Sequence, residues 1–392
     1  MRRVIIILII VVIIAIIAGV VFALLDSGNG DGEDSPLKNV FPISLLYPDT
    51  SSTPGVFIPG SGGGSGGYTE ETDEYAEGSA VHPIPLSQEE IYGYWVSSST
   101  AFFLTKDGDL KKNDGTGEFS LLSHSYGIPL RVKQNLAGTA AAVKFDSGST
   151  YLYIESRNAW EFLGNAISDF AFSPDGNSLL ALEERGSEMS MVRHEPFTTP
   201  KRAVTLLRMS GVDLRVQWPS ANRAVLSSVP SYYAESQIWE INLQTQTFRK
   251  IAVGSGMSAI TSPFVTRTVV FTPESKQKMV ARLYASDGTQ VNSYSRMLLE
   301  AKCGASLSDP IVWCGAPQLV PADAHVFPDD YLQREVFTHD ELAGIALDTG
   351  EFFTIPFRSD SYVDMSGVKH SNGVVYFINR LDDRLYKLEV GL

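Results

Sequence analysis

The residues best suited to chemistry in this 392-residue chain lie between Ala316 and Arg334, where Asp323, His325, Asp329 and Asp330 gather carboxylates and an imidazole within one short segment. Oxygen donors with one ring nitrogen suit a hard or borderline divalent cation, so these four are the candidate metal ligands. No other cofactor is expected. Tyr331 follows directly, and a second irregular segment, Ser227 to Gln237, carries Tyr232, Tyr233 and Glu235. Irregular segments on a rigid scaffold are where binding residues concentrate, and aromatic side chains there anchor peptide or glycan. The competing structural reading has the tyrosines covering sheet edges and the aspartates making turns.

Cys303 and Cys314 are the only cysteines. They flank a short loop and are expected to form a disulfide if the domain lies in an oxidising compartment, with two buried thiols as the alternative. Other motifs dissolve on inspection. Gly63, Ser65 and Gly67 satisfy G-x-S-x-G, but a nucleophile elbow needs a strand before the serine and a helix after it, and this serine sits in a Gly/Ser tract. His339 to Leu342 spells a retention signal that is read only at a C-terminus. The six histidines do not cluster in sequence, and no phosphate loop, H-E-x-x-H or G-x-G-x-x-G in a strand-to-helix context occurs. No catalytic residue is assigned, and an enzyme is the less favoured reading.

The elements that must position these residues fall into three regions. Arg2 and Arg3 precede an uncharged run from Val4 to Leu25. At 1.5 Å per residue it reaches about 33 Å, enough to cross a hydrocarbon core of about 30 Å. Residues 1–25 are therefore expected to be a cytoplasmic tip and a transmembrane anchor, with the remainder outside by the positive-inside rule. A cleaved signal peptide is the rival reading. Ala15, Gly19 and Ala23 share one face of that helix, a small-residue spacing that would permit a homodimer.

Residues 26–79 carry ten acidic side chains against Lys38, with a Gly/Ser tract from Gly60 to Gly67. Such a segment buries too little apolar surface to fold, and reads as a tether with an r.m.s. span of about 40 Å. One apolar island, Val40 to Tyr47, interrupts it. The chain's net charge of −14 resolves into +2 at the N-terminus, −9 on the tether and −7 on residues 80–392. An acidic balance of 45 Asp and Glu against 31 Lys and Arg argues against a nucleic-acid partner, because sequence-independent affinity comes from Lys and Arg displacing counterions.

From residue 80 onward, apolar residues alternate with period two and turn dipeptides recur every 8 to 12 residues, the pattern of an all-β domain. Ile238 to Ile251 superimposes without gaps on Leu342 to Ile355. Equivalent strand ends near Trp95, Leu136, Phe172, Trp218, Phe264, Trp313 and Val368 give a period of roughly 40 to 50, the length of a four-stranded propeller blade. The reading is one β-propeller over 80–392 with seven four-stranded blades, six being the alternative count. Leu385 to Val390 aligns with Ile238 to Leu243, a third strand, and leaves an outer strand wanting. An open edge invites aggregation, so Val81 to Leu86 is expected to fill it and close the ring.

The run Ala171 to Leu182, A-F-S-P-D-G-N-S-L-L-A-L, resembles the hairpin of TolB-type and WD40-like propellers. The resemblance covers residues 80–392 as architecture, carries over no catalytic residue, and implies a platform for partners more often than an enzyme. No WD dipeptide occurs. Prolyl-oligopeptidase-like and sialidase-like enzymes are disfavoured, since no hydrolase-sized segment and no S-x-D-x-G-x-T-W box is present. The expected role is a non-catalytic binding or assembly platform, periplasmic or on the cell surface, with a protein partner or surface ligand in the envelope. The alternative is a propeller enzyme acting on envelope glycans or peptides.

Overall fold

The computed structural model describes residues 82–391 apart from 187, 211–212, 320–324, 358 and 360–361, with residue 319 described by its backbone alone. The expected anchor, the tether, Ala15, Gly19, Ala23 and Asp323 lie outside the described residues.

Seven four-stranded antiparallel sheets follow one another along the chain. Blade 1 comprises β2 (Ile91–Ser97), β3 (Thr100–Thr105), β4 (Asp109–Asn113) and β5 (Glu118–Ser123). Blade 2 comprises β6 (Pro129–Gln134), β7 (Ala140–Phe145), β8 (Thr150–Ile154) and β9 (Ala159–Gly164). Blade 3 comprises β10 (Ile167–Phe172), β11 (Leu179–Arg185), β12 (Glu188–Glu195) and β13 (Arg202–Met209). Blade 4 comprises β14 (Leu214–Ser220), β15 (Arg223–Ser228), β16 (Glu235–Asn242) and β17 (Thr247–Ser255). Blade 5 comprises β18 (Ser258–Thr261), β19 (Thr268–Ser275), β20 (Lys278–Tyr284) and β21 (Gln290–Tyr294). Blade 6 comprises β22 (Cys303–Ala305), β23 (Ile311–Leu319), β24 (His339–Ala346) and β25 (Phe352–Ile355). Blade 7 comprises β26 (Met365–Ser371), β27 (Val374–Asn379) and β28 (Arg384–Glu389), completed by β1 (Ile84–Pro85).

Strand burial falls from the centre of each blade to its rim. Second strands are covered on both faces and read as near-continuous apolar runs, as in Leu179 to Leu182 or Val269 to Phe271. Fourth strands such as β13 and β17 are largely exposed. The core is correspondingly divided into seven apolar slabs, each filled from two consecutive blades. Val225 and Ile238 of blade 4 against Met257, Ala259 and Val270 of blade 5 form one of them. No blade can bury its faces alone, which is why the repeat closes into a ring.

The Ala171–Leu182 hairpin shows what its motif does. Asp175 accepts from Ser173 Oγ and from the Asn177 amide (3.1 Å), fixing a tight turn that Gly176 completes at φ +74°. The positive φ favours glycine there, and a Cβ on Gly176 would stand 3.1 Å from Asn135 Nδ2 of blade 2, so that amide would have to give way by a few tenths of an ångström.

Inner strands are stitched by side chains that imitate a β-ladder. Gln134 accepts from the Val96 amide (3.0 Å) and donates to the Val96 carbonyl (2.7 Å), joining blades 2 and 1. Gln217 repeats the device between blades 4 and 5, donating to the Ala259 carbonyl and accepting from the Thr261 amide (2.8 Å).

Ring closure occurs as expected: β1 pairs antiparallel with β28, Ile84 opposite Lys387 and Pro85 opposite Tyr386. The Leu86 and Ile91 amides extend the seam by donating to the Leu385 and Asp383 carbonyls, each at 2.8 Å. The structure corrects one marker. Trp313 lies in β23, the second strand of blade 6; the true inner strand is Cys303–Ala305, too short for its alternation to register. Cys303 and Cys314 stand directly opposite in β22 and β23 and form the disulfide.

Candidate functional site

In a four-stranded meander, the loops between second and third strands emerge on the same face as the connections between blades. Blade 6 has the longest such loop, and its described part, residues 325–338, forms a strap on that face with one helical turn, α1 (Asp329–Leu332). Asp329 and Asp330 in the first turn complement the helix N-terminus. Phe327 and Tyr331 drop into the apolar slab between blades 5 and 6 and fix the strap from below.

The strap is held by three neighbouring blades. The Phe327 amide donates to the Lys276 carbonyl of blade 5 at 2.8 Å. The Asp329 carboxylate accepts from Ser231 Oγ and from the Tyr232 amide of blade 4, both at 2.7 Å. Arg334 donates to the Arg380 carbonyl of blade 7 at 2.9 Å and pairs with Asp383. The two irregular segments singled out in the sequence thus meet, through Asp329.

Beneath the strap lies a buried ionic network. Lys302, on the connection into blade 6, donates to Asp340, to Asp364 and to the Met365 carbonyl. Arg380 contacts the other Asp364 oxygen at 3.3 Å and donates to the Tyr331 carbonyl at 2.7 Å. Thr338 Oγ1 donates to Asp340 at 2.8 Å, and Tyr331 Oη to Asp364 at 3.1 Å. Burial by itself would push the Lys302 ammonium down, but the Asp340 carboxylate, followed by the charges of Tyr331 and Asp364, holds it well above the ordinary lysine value. Burial likewise drives the Tyr331 phenol up to about 12 and the Asp340 carboxyl above the usual range. Two cations against two carboxylates leave the network neutral and bonded to itself, a lock between blades 6 and 7.

The sequence-predicted residues separate accordingly. Tyr233 is 69% exposed at the tip of the blade 4 loop, with its ring edge-on to Tyr232 at 5.6 Å between centroids. Glu235 opens β16, exposed, and accepts from Gln237 Nε2 at 2.9 Å. Tyr331, expected among the exposed aromatics, is instead only 2% exposed, because the strap folds it into the core. Of the candidate ligands, Asp329 is committed to the blade 4 loop. Asp330 accepts from the Val326 amide at 2.7 Å and lies 3.4 Å from His325. Among the described residues no group of three His, Cys, Asp or Glu could hold a metal ion.

A groove of about 340 Å³ lies beside the strap, lined by Gln318, His339, Glu341, Phe357 and Ser359. The lock residues Lys302, Asp340, Asp364 and Arg380 escaped sequence reasoning. They come from four separate segments and share no spacing.

No family model and no curated protein matches the chain. Among solved structures, TolB from Acinetobacter baumannii aligns at 14% identity with a TM-score of 0.44, over 69% of this chain and 63% of TolB. The chain therefore spans less than two thirds of that protein's length. A chain of the mitotic checkpoint complex aligns at 10% identity with a TM-score of 0.54, over 83% of this chain and 98% of that one. An oligogalacturonate lyase in complex with manganese gives 10% identity and a TM-score of 0.54, over 77% of this chain and 89% of the lyase. The likeness is one of fold. The β-propeller expected from the repeat and from the Ala171–Leu182 hairpin is met at that level, in seven blades.

Proposed function

We propose that this chain is a membrane-anchored propeller whose folded part lies outside the cytoplasm and serves as a non-catalytic platform for a protein partner in the cell envelope. The observation that carries the reading is the aromatic pair Tyr232–Tyr233 on a loop clasped by Asp329. An exposed tyrosine held in place before its partner arrives offers large contact area at small entropic cost, the property of interface hot spots. The fold is shared with a chain of the mitotic checkpoint complex and with a lyase, so fold alone favours neither platform nor enzyme. The extracytoplasmic address is supported by the Cys303–Cys314 disulfide and by the apolar run Val4 to Leu25 behind two arginines.

A thiol reagent that cannot cross a membrane tests the address. On a Tyr233→Cys variant it should label intact cells, after outer-membrane permeabilisation where one is present. Labelling only after lysis contradicts the proposal.

A further inference from the structure

The inner edge of blades 2 to 4 carries more positive charge than its structural duties need. Asp169 on β10 is fully buried and accepts from the Val216 amide of blade 4 at 2.7 Å. Arg131 reaches its first oxygen at 3.0 Å and Lys133 its second at 2.9 Å, although one base would neutralise it. Arg215 on β14 pairs with Glu300 at 2.9 Å, while its Nε is buried without a hydrogen-bond partner. A fourth base, Lys144 on β7, donates only to the Ser168 carbonyl at 3.3 Å, and among the described residues it has no carboxylate at ion-pair distance.

Arg131 and Lys144 also stand directly opposite each other in the β6–β7 register. Like charges so placed destabilise a sheet. Burial, then the charge of Arg131, pushes the Lys144 ammonium down, with Glu184, Asp169 and Asp213 opposing at longer range. Glu184 and Asp213 are exposed, where solvent screens them. Four bases thus face two contacting acids, in a domain whose net charge is negative.

We propose that this edge is a binding site for a small oxyanion, a carboxylate or phosphate group on a soluble ligand, received between Lys144 and Arg131 with Lys133 behind. The Arg131 guanidinium suits the paired oxygens of such a group. Its side chain and that of Lys133 are 29% and 31% exposed, which leaves both within a ligand's reach. The three receiving bases lie on β6 and β7 of blade 2, and the site is independent of the Tyr233 loop.

Inorganic phosphate and citrate, titrated separately by calorimetry into the full chain in detergent with ionic strength held by chloride, test the proposal. At least one should bind saturably, identifying the class of oxyanion. Lys144→Gln should weaken it about tenfold or more, the worth of one charge-assisted bond, while Lys144→Arg keeps it. Lys250→Gln, on the rim of blade 4, should change nothing. Lys144→Gln should itself melt higher than wild type in chloride, since it relieves the repulsion, which also certifies its fold. Absence of saturation by either anion, or equal affinities for wild type and Lys144→Gln, overturns the site.

Discussion

Lys369 on β26 is a lysine without an acid. Its Nζ donates to the Tyr94 carbonyl at 2.6 Å and sits 4.5 Å from the centroid of the Tyr94 ring, joining blades 7 and 1. Burial pushes its ammonium from 10.5 down to about 7. The unfolded chain therefore binds this proton more readily than the folded one between about pH 7 and pH 10.5, so this lysine's contribution to stability rises with pH across that window and is flat below it. Lys369→Met should melt several degrees higher at pH 7 and show a shallower rise across the window; a variant melting lower, with the slope intact, would refute the assignment. At this scale the sequence is a poor guide. Tyr233 was readable because its irregular segment interrupts the repeat. Tyr331 sits in the same kind of segment yet is buried, since its exposure depends on where the strap folds. Lys302, Asp340, Asp364 and Arg380 meet only because four chain segments return to one seam.

Elements were legible where they were long and regular. Ile238–Ile251 and Leu342–Ile355 are indeed the third and fourth strands of blades 4 and 6, and β28 is the third strand of blade 7. The three-residue β22 was not, because period two needs more positions to appear. Two elements invite measurement. Asp329→Ala frees the blade 4 loop from the strap and should cost about 1.5–3 kcal/mol in urea unfolding, the range for hydrogen bonds to a charged acceptor. Amide exchange at Tyr232 and Tyr233 should accelerate, and unchanged exchange would mean that the clasp does not order the loop. Removing β1 exposes the β28 edge and strips Leu86 from its slab. A chain beginning at Glu90 should therefore be less stable than one beginning at Ser79 by about 2–3 kcal/mol or more, the worth of one buried leucine. Equal melting temperatures would show that the ring closes without it.

For the molecule as a whole, the ring answers the question that length leaves open. A chain of 392 residues suggests two or three domains, but seven slabs each shared by two blades tie residues 82–391 into one folded unit. Net charge misleads in the same way, since the total of −14 divides into −9 on residues 26–79 and −7 on residues 80–392, with +2 at the N-terminus. The strap then makes one face unlike the other: blades 4 to 7 are tied together there, with Tyr233 at the margin. On the proposed function, this face receives a protein. A photo-crosslinking residue at Tyr233 in intact cells tests it most directly, with Phe162 on β9, 53% exposed, as the control position. A discrete adduct with one partner is expected from position 233, none from 162, and loss of the adduct on Asp329→Ala. No adduct from 233, or the same adducts from both positions, would contradict it.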